Sequence, residues 1–539
     1  MKTLYTFFKM LLVAALTANS IAGNAQHTVE FLNANNVNAG LGIGGNLFSQ
    51  LDSLNSNNPD SAHVALFSVP KNTNFKAIYT ASLWMSALDA SQNLHCAAQR
   101  YNFTGPEFYD GPLVANYDSA YDNFYTRVFK ITRSQIVHHQ SLGTVVIPSQ
   151  IDSAILFWPG KGNPYVAANY RVTIGNRLAP FVDLNGDGIY NPKHGDYPDI
   201  CGEEAVFFVF NDDRGPHNET GGTKLGVEVR GLAEAYVDYG ANRFEKQAIN
   251  NTVFVNYEVE NKSANNYNGF YFGMYEDPDL GCYLNDRIGS DTTRNLMFTY
   301  NDGIDPPCGA GVKGYAPLHV ATGTKLLKRD FSIIRYSSGI SRPPNQDVCS
   351  DFRNALTGVN DTTKFIFPGD PNNPNDWTDL TSGLSGGDRR MMGSTNAGDW
   401  GIGEIKVFDY AFVTSYDSTA THLTIVDTLK RDADIIQQFY NNSIVPCRAT
   451  HVIPLGLNEA GKETLQVSVY PNPSSSLLFI ETENNMDVAE LTDMLGRTVI
   501  TKTADAKKLS LNVSGLSHGV YLLRVKAGSK TAVKKVVVE

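Results

Sequence analysis

Short apolar, aromatic runs of strand length recur along most of the chain, set between polar, turn-rich stretches. They fall at residues 64–69, 77–85, 154–158, 205–210, 252–259, 269–275 and 405–413, and are rich in Val, Tyr, Phe and Thr. Only residues 432–440 carry the spacing of an amphipathic helix convincingly, and there are no heptads or long internal repeats. The 46 Gly and 24 Pro, with many Asn and Asp, supply the turns that so many short strands need. The predicted fold class is mainly β: a multi-domain β-sandwich body followed by a small immunoglobulin-like β-sandwich at the C-terminal end. With 539 residues and 42% hydrophobic content, the chain can bury several cores.

The start of the chain breaks this pattern. Lys2 and Lys9 precede or flank an apolar stretch at residues 10–18, and Gly23 and Ala25 stand before the expected cut. Residues 1–25 therefore read as a signal peptide, with Gln26 opening the mature protein. No later run reaches about eighteen apolar residues, so no further helical membrane span is expected. All six cysteines, Cys96, Cys201, Cys282, Cys308, Cys349 and Cys447, lie beyond the leader and none forms a CxxC pair. That distribution favours structural disulfides over a zinc or redox motif, although six cysteines leave 15 possible full pairings.

Charge narrows the choice of partners. The chain carries −11, the leader +2 and residues 464–539 another +2, which leaves −15 on the body. An acidic body repels nucleic acid and attracts cations, so no nucleic-acid role is expected. Two acidic stretches point to calcium. In the first, Asp183, Asn185 and Asp187 alternate ahead of Gly188, the first half of a calcium loop in which Ile189 offers its carbonyl. Position twelve holds His194 where an EF-hand has glutamate, and Asp196 is the candidate for the missing carboxylate. The second stretch holds Asp277, Asp279, Asp286 and Asp291 around Gly281 and reads equally as a calcium site or a solvated acidic loop. The expected cofactor is structural Ca2+.

From about residue 464 the chain shows Val469-Tyr470-Pro471-Asn472-Pro473, then Leu491 through Gly496-Arg497, then Gly519-Val520-Tyr521, and finally Lys534-Lys535-Val536-Val537-Val538. Alternating strands between tight turns make this a small antiparallel sandwich. The order of the four blocks resembles the type A C-terminal sorting domain of the type IX (Por) secretion system. The resemblance implies that Pro471, Asn472, Pro473, Gly496, Arg497, Gly519, Tyr521, Lys534 and Lys535 carry a sorting signal read by the type IX machinery. It also implies that the protein crosses the outer membrane, to be secreted or held at the cell surface, and that the domain is removed there. Residues 183–198, Phe210-Asn211-Asp212 and residues 276–301 also resemble large surface proteins of this secretion class that have no established activity. The expected organisation is a leader at 1–25, an N-terminal β domain at 26–179, a central β domain with calcium-type loops at 180–453, a linker at 454–463 and the sorting domain at 464–539.

Enzyme signatures mostly fail. Gly383-Leu384-Ser385-Gly386-Gly387 fits a nucleophile elbow but has turn-like flanks, and the glycines of residues 40–45 follow an Asn-rich stretch with no βαβ pattern. His138 and His139 are expected to point to opposite sides of a strand, one packed and one exposed. The four tryptophans read mainly as core. Asp followed by Ser or Thr and a small or apolar residue recurs at Asp52, Asp60, Asp118, Asp152 and Asp427, resembling a bacterial O-glycosylation sequon. The favoured function is a non-catalytic exported β protein serving adhesion, surface structure or glycan binding, with an extracellular glycan or surface partner. The alternative is a secreted hydrolase of polysaccharide or protein, whose carboxylates need no linear motif.

Overall fold

The computed structural model describes residues 29–51, 63–101, 106–143, 146–308, 312–338, 348–359, 361–451, 465, 467–492, 498–528 and 530–538. The expected signal peptide at 1–25, the expected linker at 454–463, Asp52, Asp60, Gly496 and Arg497 lie outside these residues. The protein is mainly β and divides into two compact units, Met1–His451 and Val452–Glu539.

Two antiparallel sheets build the body. Among the described residues one has ten strands, running from Ile333–Ser338 through Arg389–Trp400, Tyr267–Asp277 and Thr80–Asp89 to short strands near the beginning of the chain. The other has nine and runs through Glu204–Asn211, Val227–Ala235, Thr252–Asn261, Ile405–Asp417, His319–Leu326 and Leu296–Asn301 to Asp286–Asp291. Both sheets draw strands from either side of Ala179: Thr80–Asp89 pairs with Tyr267–Asp277, and Phe129–Thr132 pairs with Glu204–Asn211. One continuous core lies between them. Phe272 of the first sheet stacks on Phe408 of the second at 3.9 Å between centroids, and Phe48 meets Phe412 edge-on at 4.8 Å. Alternation along the strands places Phe272, Phe408 and Phe412 on the inner faces, and Phe48 reaches them from the bend between two short strands, which makes the body a sandwich.

The outer faces are also covered, which explains why the central strands are buried on both sides. Short helices at Ser119–Tyr125, Arg133–Ser141, Ser153–Leu156 and Pro164–Tyr170 pack a second core around Trp158 and Phe207. Helices Arg243–Asn250 and Thr424–Phe439 cover another part of the nine-stranded sheet. Helix Cys349–Thr357 covers Trp84, Tyr275 and Met392 on the ten-stranded one.

Most of these helices depart from the sequence expectation. Residues 154–158, read as a strand, contribute to helix Ser153–Leu156, because the Asp152 carboxylate accepts the Ala154 N–H and caps its first turn. Asp118 caps Ser119–Tyr125 in the same way. Two of the five Asp-Ser/Thr motifs are thus helix starts. His138 and His139 sit on helix Arg133–Ser141, opened by a Thr132–Gln135 capping box, rather than on a strand. One ring is nonetheless packed and the other exposed. The helix expected at residues 432–440 is the C-terminal part of Thr424–Phe439. Trp84, Trp158 and Trp400 are core residues, and Trp377 is 43% exposed.

All six cysteines are bridged: Cys96–Cys349, Cys201–Cys447 and Cys282–Cys308. The C-terminal unit is a five-stranded antiparallel sheet, with Leu478, Ile480, Leu491, Leu511, Leu523, Val525 and Val536 in its core.

Candidate functional site

Three carboxylates converge at one edge of the ten-stranded sheet. Asp277 ends the strand Tyr267–Asp277, and Asp388 immediately precedes Arg389–Trp400. These strands are antiparallel neighbours with Glu276 opposite Met391, so pairing brings together two aspartates more than a hundred residues apart in sequence. Asp279 completes the group from the loop that leaves the first strand. Each of the three offers a carboxylate oxygen within 4.8 Å of the other two, and this is the sole such grouping of three or more acidic, His or Cys side chains among the described residues.

The electrostatics of the group are unbalanced. Asp277 is 2% exposed; its Oδ2 accepts from the Tyr101 hydroxyl at 2.5 Å and from Arg390 Nε at 3.2 Å. Arg390 also donates from Nη1 to Asp388 Oδ2 at 3.1 Å. One guanidinium therefore faces three carboxylates, and two oxygens, Asp277 Oδ1 and Asp388 Oδ1, are shut off from solvent without a donor. Burial pushes the Asp277 carboxyl up to about 6, against the pull of Arg390. Burial, reinforced by the charges of Asp277 and Asp388, raises Asp279 well above the carboxylate range.

The other two aspartates of this stretch lie outside the group. Asp286 accepts the Leu280 N–H at 3.1 Å and the Asn301 amide at 3.2 Å, and burial followed by the charge of Asp279 raises it. Asp291, at the far end of strand Asp286–Asp291, closes a turn: it accepts from Thr293 N and Oγ1 and pairs with Arg294 at 2.8 Å. Although burial pushes it up, those hydrogen bonds hold it below the usual carboxylate range. Asp388, which the sequence reading missed, is the third member. Its only signal in the sequence was a carboxylate just before a strand, visible once the pairing of that strand is known.

The Asp183 loop folds around its own carboxylates. Asp183 accepts the N–H of Gly186 at 2.8 Å and of Gly188 at 2.7 Å, and both glycines have the positive φ (73° and 77°) that such a turn requires. Asp187 accepts from Ile189 N and from the Asn185 side chain, each at 2.8 Å. Asp196 is fully buried and spans the loop, accepting from Leu184 N at 3.0 Å and Asn191 N at 2.8 Å. Burial raises its carboxyl. Asp183, Asp187 and Asp196 do not converge as closely as the Asp277 group.

The enzyme-like motifs have ordinary structural settings. Ser385 lies in the turn that enters strand Arg389–Trp400, where its carbonyl accepts from Arg389. Glu204 accepts the N–H groups of Asn33 and Ala34 and pairs with Lys130.

In the C-terminal unit, Asn472 acts as a clasp. Its amide donates to the Lys535 carbonyl at 2.8 Å, and its Oδ1 accepts the Val537 N–H at 2.8 Å, so the Pro471-Asn472-Pro473 turn is fastened to the closing strand. Gly519 opens strand Gly519–Ala527, and Tyr521 buries its ring while donating to the Ser517 carbonyl at 2.8 Å. Lys534 and Lys535 are both exposed. Residues 468–539 match a family described as a secretion system C-terminal sorting domain.

The C-terminal unit is a type IX secretion sorting domain.

The sorting domain places the protein among those exported across the outer membrane, to the cell surface or beyond. It also implies interaction with the type IX machinery. Among the described residues, no helix is long and apolar enough to cross a membrane. No curated protein matches the chain. Among solved structures, a polysaccharide lyase is similar to 67% of this chain at 8% identity, with a TM-score of 0.18. The chain spans 39% of that lyase, and a likeness this slight carries no argument about fold or activity.

Proposed function

We propose that the exported body is a non-catalytic β protein, working in adhesion, surface structure or glycan binding, with calcium holding its acidic loops. The observation that carries this reading is a sorting domain joined to a body whose six cysteines are all bridged. Such bridges persist in an oxidising exterior and suit a durable scaffold. In the Asp183 loop each carboxylate oxygen that accepts one N–H keeps a second lone pair, so the pre-shaped turn remains able to take a hard cation. The test is to purify the exported protein and assay glycan and matrix binding, together with polysaccharide and protein hydrolysis, in calcium and in excess chelator. Calcium-dependent binding without turnover is expected; catalytic product release would overturn the reading.

A second reading, a secreted hydrolase, draws support from the convergence of Asp277 and Asp279, whose carboxyls are both raised. It requires that Asp279→Asn abolish a measurable turnover. The body's engagement of Asp277 by Tyr101 and Arg390 favours a fixed structural carboxylate instead.

A further inference from the structure

We propose that Asp277, Asp279 and Asp388 hold one divalent cation, calcium by the chemistry of the donors, which fastens the exit of strand Tyr267–Asp277 to the entry of strand Arg389–Trp400. The assignment deepens the calcium part of the proposed function and rests on it. It replaces Asp286 and Asp291, which are engaged elsewhere, with Asp388.

Oxygens bound to one calcium lie about 2.3–2.6 Å from the ion and so up to about 5 Å from each other. The 4.8 Å limit that encloses these three carboxylates fits that geometry without rearrangement. A hard cation prefers an all-oxygen set, and no His or Cys belongs to the group. The independent observation is the pair of stranded oxygens. Asp277 is 98% buried, yet its Oδ1 meets no donor, and Asp388 Oδ1 is likewise enclosed and unpartnered. A buried carboxylate oxygen without a partner costs free energy that a coordinated cation removes. Arg390 does not fill that role: its contacts run from Nε to Asp277 Oδ2 and the Tyr101 hydroxyl and from Nη1 to Asp388 Oδ2, and neither stranded oxygen receives a donor. Asp279 and Asp388 are half-buried, which leaves the ion a path from solvent, while Asp277 forms the floor.

The test uses the full exported chain, stripped with chelator and titrated with terbium(III), a calcium substitute whose emission is excited through nearby tyrosine rings. Tyr101 and Tyr275 stand at the cluster, their hydroxyls 3.1 Å apart. Wild type is expected to give tyrosine-sensitised emission that calcium displaces. Asp279→Asn and Asp388→Asn should each lose that emission, whereas Asp183→Asn should keep it. Wild-type emission in both cluster variants overturns the site; if Asp183→Asn alone loses it, the calcium reading survives on the loop. Absence of terbium and calcium binding by wild type overturns both. A measurement free of folding effects is anomalous diffraction from wild-type crystals soaked in terbium. A peak between the three carboxylates is expected, and its absence overturns the assignment.

Discussion

Removing the Cys201–Cys447 bridge should cost the body far more than removing Cys282–Cys308. The first closes a loop of 246 residues and the second one of 26. In the chain-entropy treatment a cross-link stabilises by restricting the unfolded chain, with a logarithmic dependence on loop length. At 25 °C it gives about 5.5 kcal/mol for the long loop and about 3.5 kcal/mol for the short one, a difference of about 2 kcal/mol. Because the Cys96–Cys349 bridge offers a partial shortcut, the effective long loop contracts somewhat, but the logarithm makes this a change of only a few tenths of a kcal/mol. The native contacts point the same way. Cys201 precedes strand Glu204–Asn211 and Cys447 lies in helix Val445–His451, so this bridge ties the final helix of the body to its nine-stranded sheet. The assay is urea unfolding of the oxidised protein, comparing C201A/C447A with C282A/C308A. Fluorescence of buried Trp84, Trp158 and Trp400 would report the transition. Equal losses, or a greater loss from the short bridge, would refute the reasoning, as would a non-reducing peptide map with different partners.

Other perturbations test the buried charges and the sorting domain. Asp379 is fully buried between Arg287 and Arg389, at 2.9 Å from each, so Asp379→Ala leaves the Arg389 guanidinium without its carboxylate and Arg287 with Asp302 alone, and should cost about 3–5 kcal/mol in denaturant unfolding. A loss below about 1 kcal/mol would show that the charges do not depend on one another. Burial raises the Asp110 carboxyl to about 6, opposed by Arg214. The folded protein thus binds this proton more tightly than the unfolded chain, and its contribution to stability falls as pH rises from about 4 to about 6. Asp110→Asn should therefore flatten that slope and gain up to about 3 kcal/mol relative to wild type above pH 6, with no relative gain near pH 3; thermal melts across that range decide the sign. Asn472→Ala removes both clasp hydrogen bonds and should lower the stability of the sorting domain by about 1–2 kcal/mol, seen as amide exchange at Val537 speeding about tenfold. Unchanged exchange would mean that the turn is held by other contacts.

What the sequence disclosed follows from the range of the interactions involved. Strands such as Thr252–Asn261 announce themselves by local alternation, and the sorting domain by four blocks whose order survives in one short stretch. The short helices escaped because their stability comes from packing on a sheet already buried on its other face, while their Tyr, Phe and Val residues resemble strand formers. Of their caps, Asp118 and Asp152 carried a sequon reading instead, and Thr132, Asn163 and Asn242 were not singled out because a capping residue alone is indistinguishable from a turn residue. Asp277 and Asp279 could be found because they are neighbours in the chain. Asp388 could not, since only the register between two distant strands puts it beside them.

The interleaving of the two sheets has a consequence for the order of events during synthesis. Thr252–Asn261 finds its second partner only in Ile405–Asp417, and Tyr267–Asp277 finds its own only in Arg389–Trp400. A nascent chain that has emerged as far as residue 380 therefore holds open sheet edges in both layers and has no finished domain to set aside. Completing either sheet waits on contacts of high sequence separation, the kind that form slowly. One stretch near the end of the body, residues 389–417, therefore supplies the missing partner in both layers.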